Sequence, residues 1–475
     1  MSERSARRQT AALVLITAVE LVVFLDTSVV NIALPRIGAG LGLDEAGLAW
    51  VTNAYLLAFG GCMLVGGRAA DRLGARRVFA FGLALFTVAS AMAGLTNTAW
   101  LLLAARAVQG VGAAVTVPAQ LALLTRTFSE PAERRRAFGV WGAMGAAGAA
   151  IGTATGGLLT QSLGWRSIFL INLPVGVAAL SSAGGLLPPD PARRRADAGR
   201  RLDLPGAVLG TTGLLLLGYA VGALADPESR ASATVLTVVA AVLLAGFVAT
   251  EARATEPLMP LRLFRVRQVT GSTVVNALVG AAHVPAFALL ALYLQNTQHY
   301  GPTRSGLAVL PVAVAALIAS RTAIPAAVER FGARALLAVG LGLQAVALAW
   351  FTALPATVSY LTDVLPAALI LGVGLPASFV GVTAPAVTAV AQDDAGVTAG
   401  IVNTAQRVGS GLGVTAILLL SSAVTGTADY LSGLRAGFAA AAGLALLGCL
   451  LTLTLLRPAP SSPAPTPSPA MRSHR

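Results

Sequence analysis

Lysine is absent from this chain; all 33 basic residues are arginine. Charge of either sign is scarce, at 11% of 475 residues, where soluble domains carry about 25%. Cysteine occurs twice, as Cys62 and Cys449, each inside an apolar stretch, which argues against a disulfide framework or a cysteine metal site. The three histidines, His283, His299 and His474, are too scattered for a metal cluster. There is no Walker A loop, so nucleotide hydrolysis by that route is excluded. No Ser/His/Asp or zinc-ligand constellation points to an enzyme. The chain is expected to need no cofactor and no metal, and to draw on an electrochemical gradient.

What is there is hydrophobic. Apolar residues make up 56% of the chain, which places it among integral membrane proteins. A spanning helix needs about 20 mostly apolar residues. Fourteen candidate spans follow: 11–35, 48–67, 78–96, 99–124, 137–160, 167–187, 204–223, 231–250, 268–295, 306–328, 334–354, 363–389, 396–422 and 434–456. The first begins after a short polar stretch and lacks an A-x-A cleavage pattern, so it reads as an uncleaved helix. The excess of arginine, alanine and glycine fits a GC-rich, bacterial coding genome.

The formal charge of +13 raises the question of nucleic acid. The arginines instead sit in short loops between spans, which is the pattern that orients a membrane protein. One set of loops holds Arg68 to Arg77, Arg126 to Arg136, Arg193 to Arg201, Arg262 to Arg267, and Arg330 with Arg334. The alternate loops hold one arginine each: Arg36, Arg166, Arg230, Arg304 and Arg435. Both termini are therefore expected in the cytoplasm, and nucleic acid is not an expected partner.

An internal repeat accompanies the charge pattern. Asp71-Arg-Leu-Gly-Ala-Arg76 recurs as Glu329-Arg-Phe-Gly-Ala-Arg334, and Gly82-Leu83 as Gly340-Leu341. The copies are eight spans apart, whereas two six-helix halves would place them six apart. Two helices are therefore inserted. The expected organisation is a six-helix half over 1–187, a linker over 188–203, two inserted helices over 204–250, a second six-helix half over 251–457 and a disordered tail over 458–475. Parallel half-repeats with a midplane site between them are a transporter architecture.

The first span contains two acids, Glu20 and Asp26. An ionisable group at bilayer depth costs roughly 2.5–3.5 kcal/mol on insertion scales, so its use in proton relay or ion coupling is expected. At 1.5 Å per residue, Asp26 lies ~13 Å below the outer end of its helix and Arg106 ~10 Å below the outer end of the fourth. Matched depth allows the two to neutralise one another, either as a proton-sensitive switch or as a static pair. Glu20 has three open roles: attraction of a cationic substrate, a second proton site, or a structural acid. In the second half, His283, Arg321 and Arg407 also fall inside spans, which admits an anionic or zwitterionic substrate. Further polar side chains on apolar spans, Asn31, Asn53, Tyr55, Gln109, Asn172, Gln295 and Asn403, are candidates to line a substrate cavity.

The loop Gly67-Arg-Ala-Ala-Asp-Arg-Leu-Gly-Ala-Arg-Arg77 resembles the signature loop of the major facilitator superfamily. Leu25-Asp-Thr-Ser-Val-Val-Asn-Ile-Ala-Leu-Pro35, Arg106-Ala-Val-Gln-Gly-Val-Gly112, Gly148 to Gly157, and Trp165-Arg-Ser-Ile-Phe-Leu-Ile-Asn-Leu-Pro-Val-Gly176 are similar to motifs of its fourteen-helix drug:proton antiporter branch. The resemblance implies an all-α integral membrane fold with fourteen spans. It implies a gating loop built on Gly67, Asp71, Arg72, Gly74, Arg76 and Arg77, and proton coupling through Asp26, Arg106 and Glu20. It also implies an antiporter motif of closely packed glycines, Gly145, Gly148, Gly152, Gly156 and Gly157. One departure stands out: the motif's usual Gly-Pro reads Gly152-Thr153 here, so the bend in that helix should be weaker.

The resemblance implies export of small drug-like amphiphiles in exchange for protons, by a monomer in the cytoplasmic membrane. The alternatives are a transporter of another metabolite, whether importer or endogenous-product exporter, and a non-transporting membrane sensor of the same fold.

Overall fold

The computed structural model describes residues 3–190, 203–224, 229–254, 257–391, 394–426 and 429–456. Most of the expected linker and the whole expected tail lie outside these residues. The described residues form fourteen long helices. In the first half these are α1 (Glu3–Leu41), α2 (Glu45–Leu73), α3 (Ala75–Leu95), α4 (Ala99–Thr127), α5 (Pro131–Ser162) and α6 (Ser167–Leu186). Next come α7 (Leu204–Ala223) and α8 (Arg230–Arg253). In the second half they are α9 (Arg267–Thr297), α10 (Pro302–Arg321), α11 (Ala323–Phe351), α12 (Tyr360–Thr388), α13 (Ala395–Thr425) and α14 (Tyr430–Leu455). Thirteen are long and apolar enough to cross a membrane; the other, α5, is a glycine- and alanine-rich helix of 32 residues.

The two halves pair their helices alike. In the first, α1 lies on α5, and α4 on both α2 and α3; in the second, α9 lies on α13, and α12 on both α10 and α11. The repeated hexapeptide forms the same turn twice. Gly74 (φ 101°) separates α2 from α3, and Gly332 (φ 78°) interrupts α11 as its one non-helical residue. Both φ values lie where only glycine is unstrained. The sequence boundary after 328 therefore marks a real turn. A second break, between α10 and α11 at Thr322, was not expected. Pro325 explains it: it has no N–H for the carbonyl of Arg321, and its ring crowds that carbonyl.

The halves meet along two seams, α2 on α13 and α5 on α10. The first of the inserted helices, α7, covers the first seam, and α8 packs on α7. Thr211 of α7 packs on Gly61 and lies 3.5 Å from Cys62 Sγ, while Gly218 meets Leu57. At the end opposite the basic loops the halves are closed. There Leu34 and Leu48 of the first half and Leu292 and Leu418 of the second surround an apolar void of about 10 Å³. Pro302 and Gly306 of α10 touch Gly157 and Thr153 of α5 at the same end. Toward the basic end, Gly400 of α13 still meets Leu64 of α2, while Gly139 and Gly142 of α5 have no neighbour among the described residues within 4 Å of a notional Cβ. The molecule is thus shut at the end opposite the basic loops.

Candidate functional site

Asp26 is fully buried in the first half and is surrounded by donors. Arg106 Nη1 lies 2.7 Å from Asp26 Oδ2. Gln109 Nε2 and Asn172 Nδ2 donate to Oδ1 at 2.7 and 2.8 Å. Ser90 Oγ accepts from both amides, at 2.8 and 3.3 Å. Arg106 Nε donates to Val51 O at 3.0 Å, and its guanidinium carbon sits 4.3 Å from the Tyr55 ring centre. A buried charge must be both paired and hydrogen-bonded to be tolerated. Here α1 supplies the acid, α3, α4 and α6 supply the groups around it, and α2 holds Arg106.

Local sequence explains the convergence. Arg106 and Gln109 are three residues apart, so they share one face of α4. On α5, Gly148, Gly152 and Gly156 face α1 so closely that a Cβ would lie 2.4 Å from Leu21 O, 2.7 Å from Leu25 O and 2.7 Å from a Val29 methyl. Gly145 faces the Phe24 ring on the same helix. This approach holds the Asp26 segment of α1 in place. Gly157 points elsewhere, onto Pro302 O of the second half. α5 continues through Thr153 as one helix. The start of α6 is fixed by Arg166, which donates to Thr96 O and to Asn97 Oδ1, and Asn172 follows within two turns.

A second polar group lies nearer the space between the halves. Glu20 is buried one helical turn from Phe24, and its Oε2 has no partner among the described residues. The Trp141 indole N–H lies between Glu20 and Gln120, 2.8 Å from Gln120 Oε1. From the second half, Arg407 reaches across. Its guanidinium carbon is 4.5 Å from the Phe59 ring centre and 5.5 Å from that of Phe24. His283 lies edge-on to Phe379 with Nδ1 2.7 Å from Val279 O.

The remaining candidates separate by position. Gln109 and Asn172, expected to line a cavity, belong instead to the Asp26 cluster; amides that reach a carboxylate are spent on it. Asn53 donates to Thr415 Oγ1 at 2.5 Å and Gln295 to Ile32 O at 2.8 Å, so both fasten one half to the other. Tyr55 is fully buried against Arg106, with its hydroxyl beside Thr27 of α1. Asn403 donates within its own helix, to Ala399 O. Asn31 is buried with Oδ1 unpartnered.

In the basic loop, the start of α3 is not held by Asp71, which is exposed. Asp190, just after α6, does this instead. Its oxygens accept from the backbone N–H of Arg76 and Arg77 at 3.0 and 3.1 Å, and Arg126 pairs with it at 3.0 Å. A carboxylate at a helix N-terminus also meets the positive end of the dipole. A Cβ on Gly74 would lie 2.2 Å from Asp190 Cγ. Arg68, from the same loop, donates to Pro257 O at 2.8 Å and so ties the first half to the connection after α8. Sequence reading missed Ser90, Gln120, Trp141 and Asp190. None stands in a repeated or charged pattern except Asp190, which looked like part of a linker.

Comparison with known proteins agrees with this architecture. A family model described as Major Facilitator Superfamily matches residues 16–414. The chain is 40% identical to a puromycin resistance protein of Streptomyces alboniger over 88% of this chain and 83% of that one. It is 36% identical to a cephamycin export protein of Amycolatopsis lactamdurans over 94% and 92%. A lincomycin resistance protein of Streptomyces lincolnensis is 33% identical over 95% and 92%. Among solved structures, a bacterial homologue of the human lysosomal transporter Spinster, described as inward-facing and occupied, superposes with a TM-score of 0.66 at 16% identity, covering 96% of this chain and 97% of that one. The chain belongs to the major facilitator superfamily: it is a multi-pass membrane transporter, not an enzyme.

Proposed function

We propose that this protein exports small amphiphilic antibiotics or related drugs across the cytoplasmic membrane in exchange for protons, working as a monomer. The observation that carries the reading is the Asp26 cluster: one carboxylate, deep in the first half, balanced by Arg106 and two amides. Adding a proton to Asp26 removes the charge that balances Arg106. The guanidinium is then left with Gln109, Val51 and the Tyr55 ring, and the packing of α1 against α4 changes. Relatives named for resistance or export support the direction and the substrate class.

The basic loops are assigned to the cytoplasm, with both termini, because arginine-rich loops are retained there. On that assignment the leucine plug closes the outer side. The loop of Gly67, Asp71, Arg72, Gly74, Arg76 and Arg77 gates the inner side. One charge moving across 100 mV supplies about 2.3 kcal/mol. A tenfold concentration gradient costs about 1.4 kcal/mol, so a single proton is sufficient drive for export.

The test uses inverted membrane vesicles energised by respiration. Accumulation of puromycin or a cephamycin should collapse when an uncoupler is added, and Asp26→Asn should show none. Undiminished transport by Asp26→Asn would refute the proton assignment.

A further inference from the structure

We propose that the site between the halves is built for a zwitterionic amphiphile, with Arg407 taking its carboxylate and Glu20 its ammonium group. This rests on the transport reading and names the substrate class of the same site.

Arg407 is the starting point. It lies near the middle of α13, at membrane depth, where a guanidinium requires acceptors or a counter-charge. Among the described residues it has neither: no hydrogen-bond acceptor, and no carboxylate within 4 Å. Its surroundings are aromatic faces instead, Phe59 and Phe24, both from the other half. Aromatic faces hold a guanidinium in place without using its N–H groups. Its stem is pinned as well, because Gly60 of α2 comes so close that a notional Cβ would lie 3.1 Å from Arg407 Cβ. The result is a fixed planar fork with unspent donors, the group best suited to a carboxylate.

Glu20 is the complement. It is fully buried, Trp141 offers it a single donor, and Oε2 has none. Beside it, Gln120 Nε2 is buried without an acceptor, and Thr404 Oγ1, one turn before Arg407, is also unpartnered. Buried polar groups are seldom left unsatisfied, so a cluster of them between the halves points to a ligand that completes them. Glu20 and Arg407 act on each other electrostatically but do not form an ion pair. Phe24 stands between them: it is one turn from Glu20 on α1, with its ring against Arg407. A molecule with an ammonium and a carboxylate separated by an apolar body would satisfy both groups and lie along Phe24 and Phe59. A singly charged molecule would leave one of the two groups unanswered. Because Glu20 and Arg407 belong to different halves, such a ligand also bridges the parts that must move.

The test measures equilibrium binding to the intact protein in nanodiscs, with no gradient present, so it does not depend on proton drive. The probes are the dipeptide Phe-Phe, its carboxamide and its N-acetyl form. At pH 6 they are zwitterion, cation and anion, since an α-amine ionises near 7.7–8.0 and an α-carboxyl near 3.3–3.7. Wild type should bind Phe-Phe at least tenfold more tightly than either singly charged probe. Arg407→Gln should weaken Phe-Phe and the N-acetyl form at least tenfold while leaving the carboxamide within twofold. Glu20→Gln should do the reverse. Arg407→Lys should recover part of the loss, and it replaces Arg407→Gln if the latter fails to fold. Equal binding of all three probes, uniform weakening by each variant, or no binding by wild type overturns the proposal. Failure here with uncoupler-sensitive export intact would leave the transport reading standing.

Discussion

The two six-helix halves share their packing and differ in their chemistry. On α5, Gly148 and Gly152 press against Leu21 and Leu25 of α1; on α13, Gly409 and Gly413 press against Ala277 and Ala281 of α9. Gly82 and Gly112 approach between α3 and α4 as Gly340 and Gly374 do between α11 and α12. That register pairs Asp26 with Ala282, Arg106 with Ala368, Gln109 with Leu371 and Ser90 with Leu348. All four second-half residues are buried and three of the four first-half ones form the ionic core; Ser90 anchors its amides. One half thus carries a buried ionic cluster where the other carries apolar filling. The shared scaffold uses the glycines in both halves but the charges in only one, so packing alone does not require the charges.

The largest effect should come from unbalancing the ionic core. Arg106→Leu leaves Asp26 buried without its counter-charge, and unpaired buried charges of this kind cost about 3–5 kcal/mol. Its second-half counterpart, Ala368→Leu, adds only bulk, at about 1–3 kcal/mol. Unfolding in detergent should rank the two in that order, and equal losses would break the contrast. The glycines should behave alike across the halves. Gly148→Ala places a Cβ 2.4 Å from Leu21 O, and Gly409→Ala places one 2.1 Å from Ala277 O. Each should cost about 1–3 kcal/mol by overpacking. A large disparity in their melting temperatures would show that the halves are not mechanically equivalent.

A smaller change tests how the halves are held together at the closed end. Removing the Asn53–Thr415 and Gln295–Ile32 bonds, in Asn53→Ala with Gln295→Ala, forfeits about 0.5–1.5 kcal/mol each. A cysteine placed at Leu34 should then react faster with a membrane-impermeant thiol reagent. An unchanged rate would assign closure to the leucine plug alone.

The smallest effect lies at the surface of the second half. Arg262 grips Asp394 through two bonds of 2.7 and 2.6 Å, and these bonds hold the Asp394 carboxyl below its usual range. A depressed carboxyl contributes stability above its unfolded pKa, near 3.9, and loses it as pH falls through the folded value. The melting difference between wild type and Asp394→Asn should therefore be constant above about pH 5 and vanish in stronger acid. A difference that grows on acidification would contradict the pairing.

How far the sequence could be read follows from which forces have a local signature. The spans, the arginine alternation and the Asp26–Arg106 match are written in hydropathy, charge and depth, each legible one helix at a time. The repeat revealed the turn at Gly332 because only glycine suits that backbone. What stayed hidden was the partner choice of neutral amides. Gln109 and Asn172 look like Asn31 on paper, and only the packing of α4 and α6 decides which meets a carboxylate. Asp190 was hidden for the same reason: nothing near it in the chain shows that a helix start more than a hundred residues earlier lacks a cap.

That distant cap has a consequence for the newborn chain. Asp190 is synthesised long after Gly74, about 6–23 s later at 5–20 residues per second. Until then the α2–α3 bend has two bare amides and an empty notch where the carboxylate will sit. The first half can thus secure this bend only once its sixth helix has left the ribosome, so premature termination anywhere before residue 190 leaves the bend without its cap.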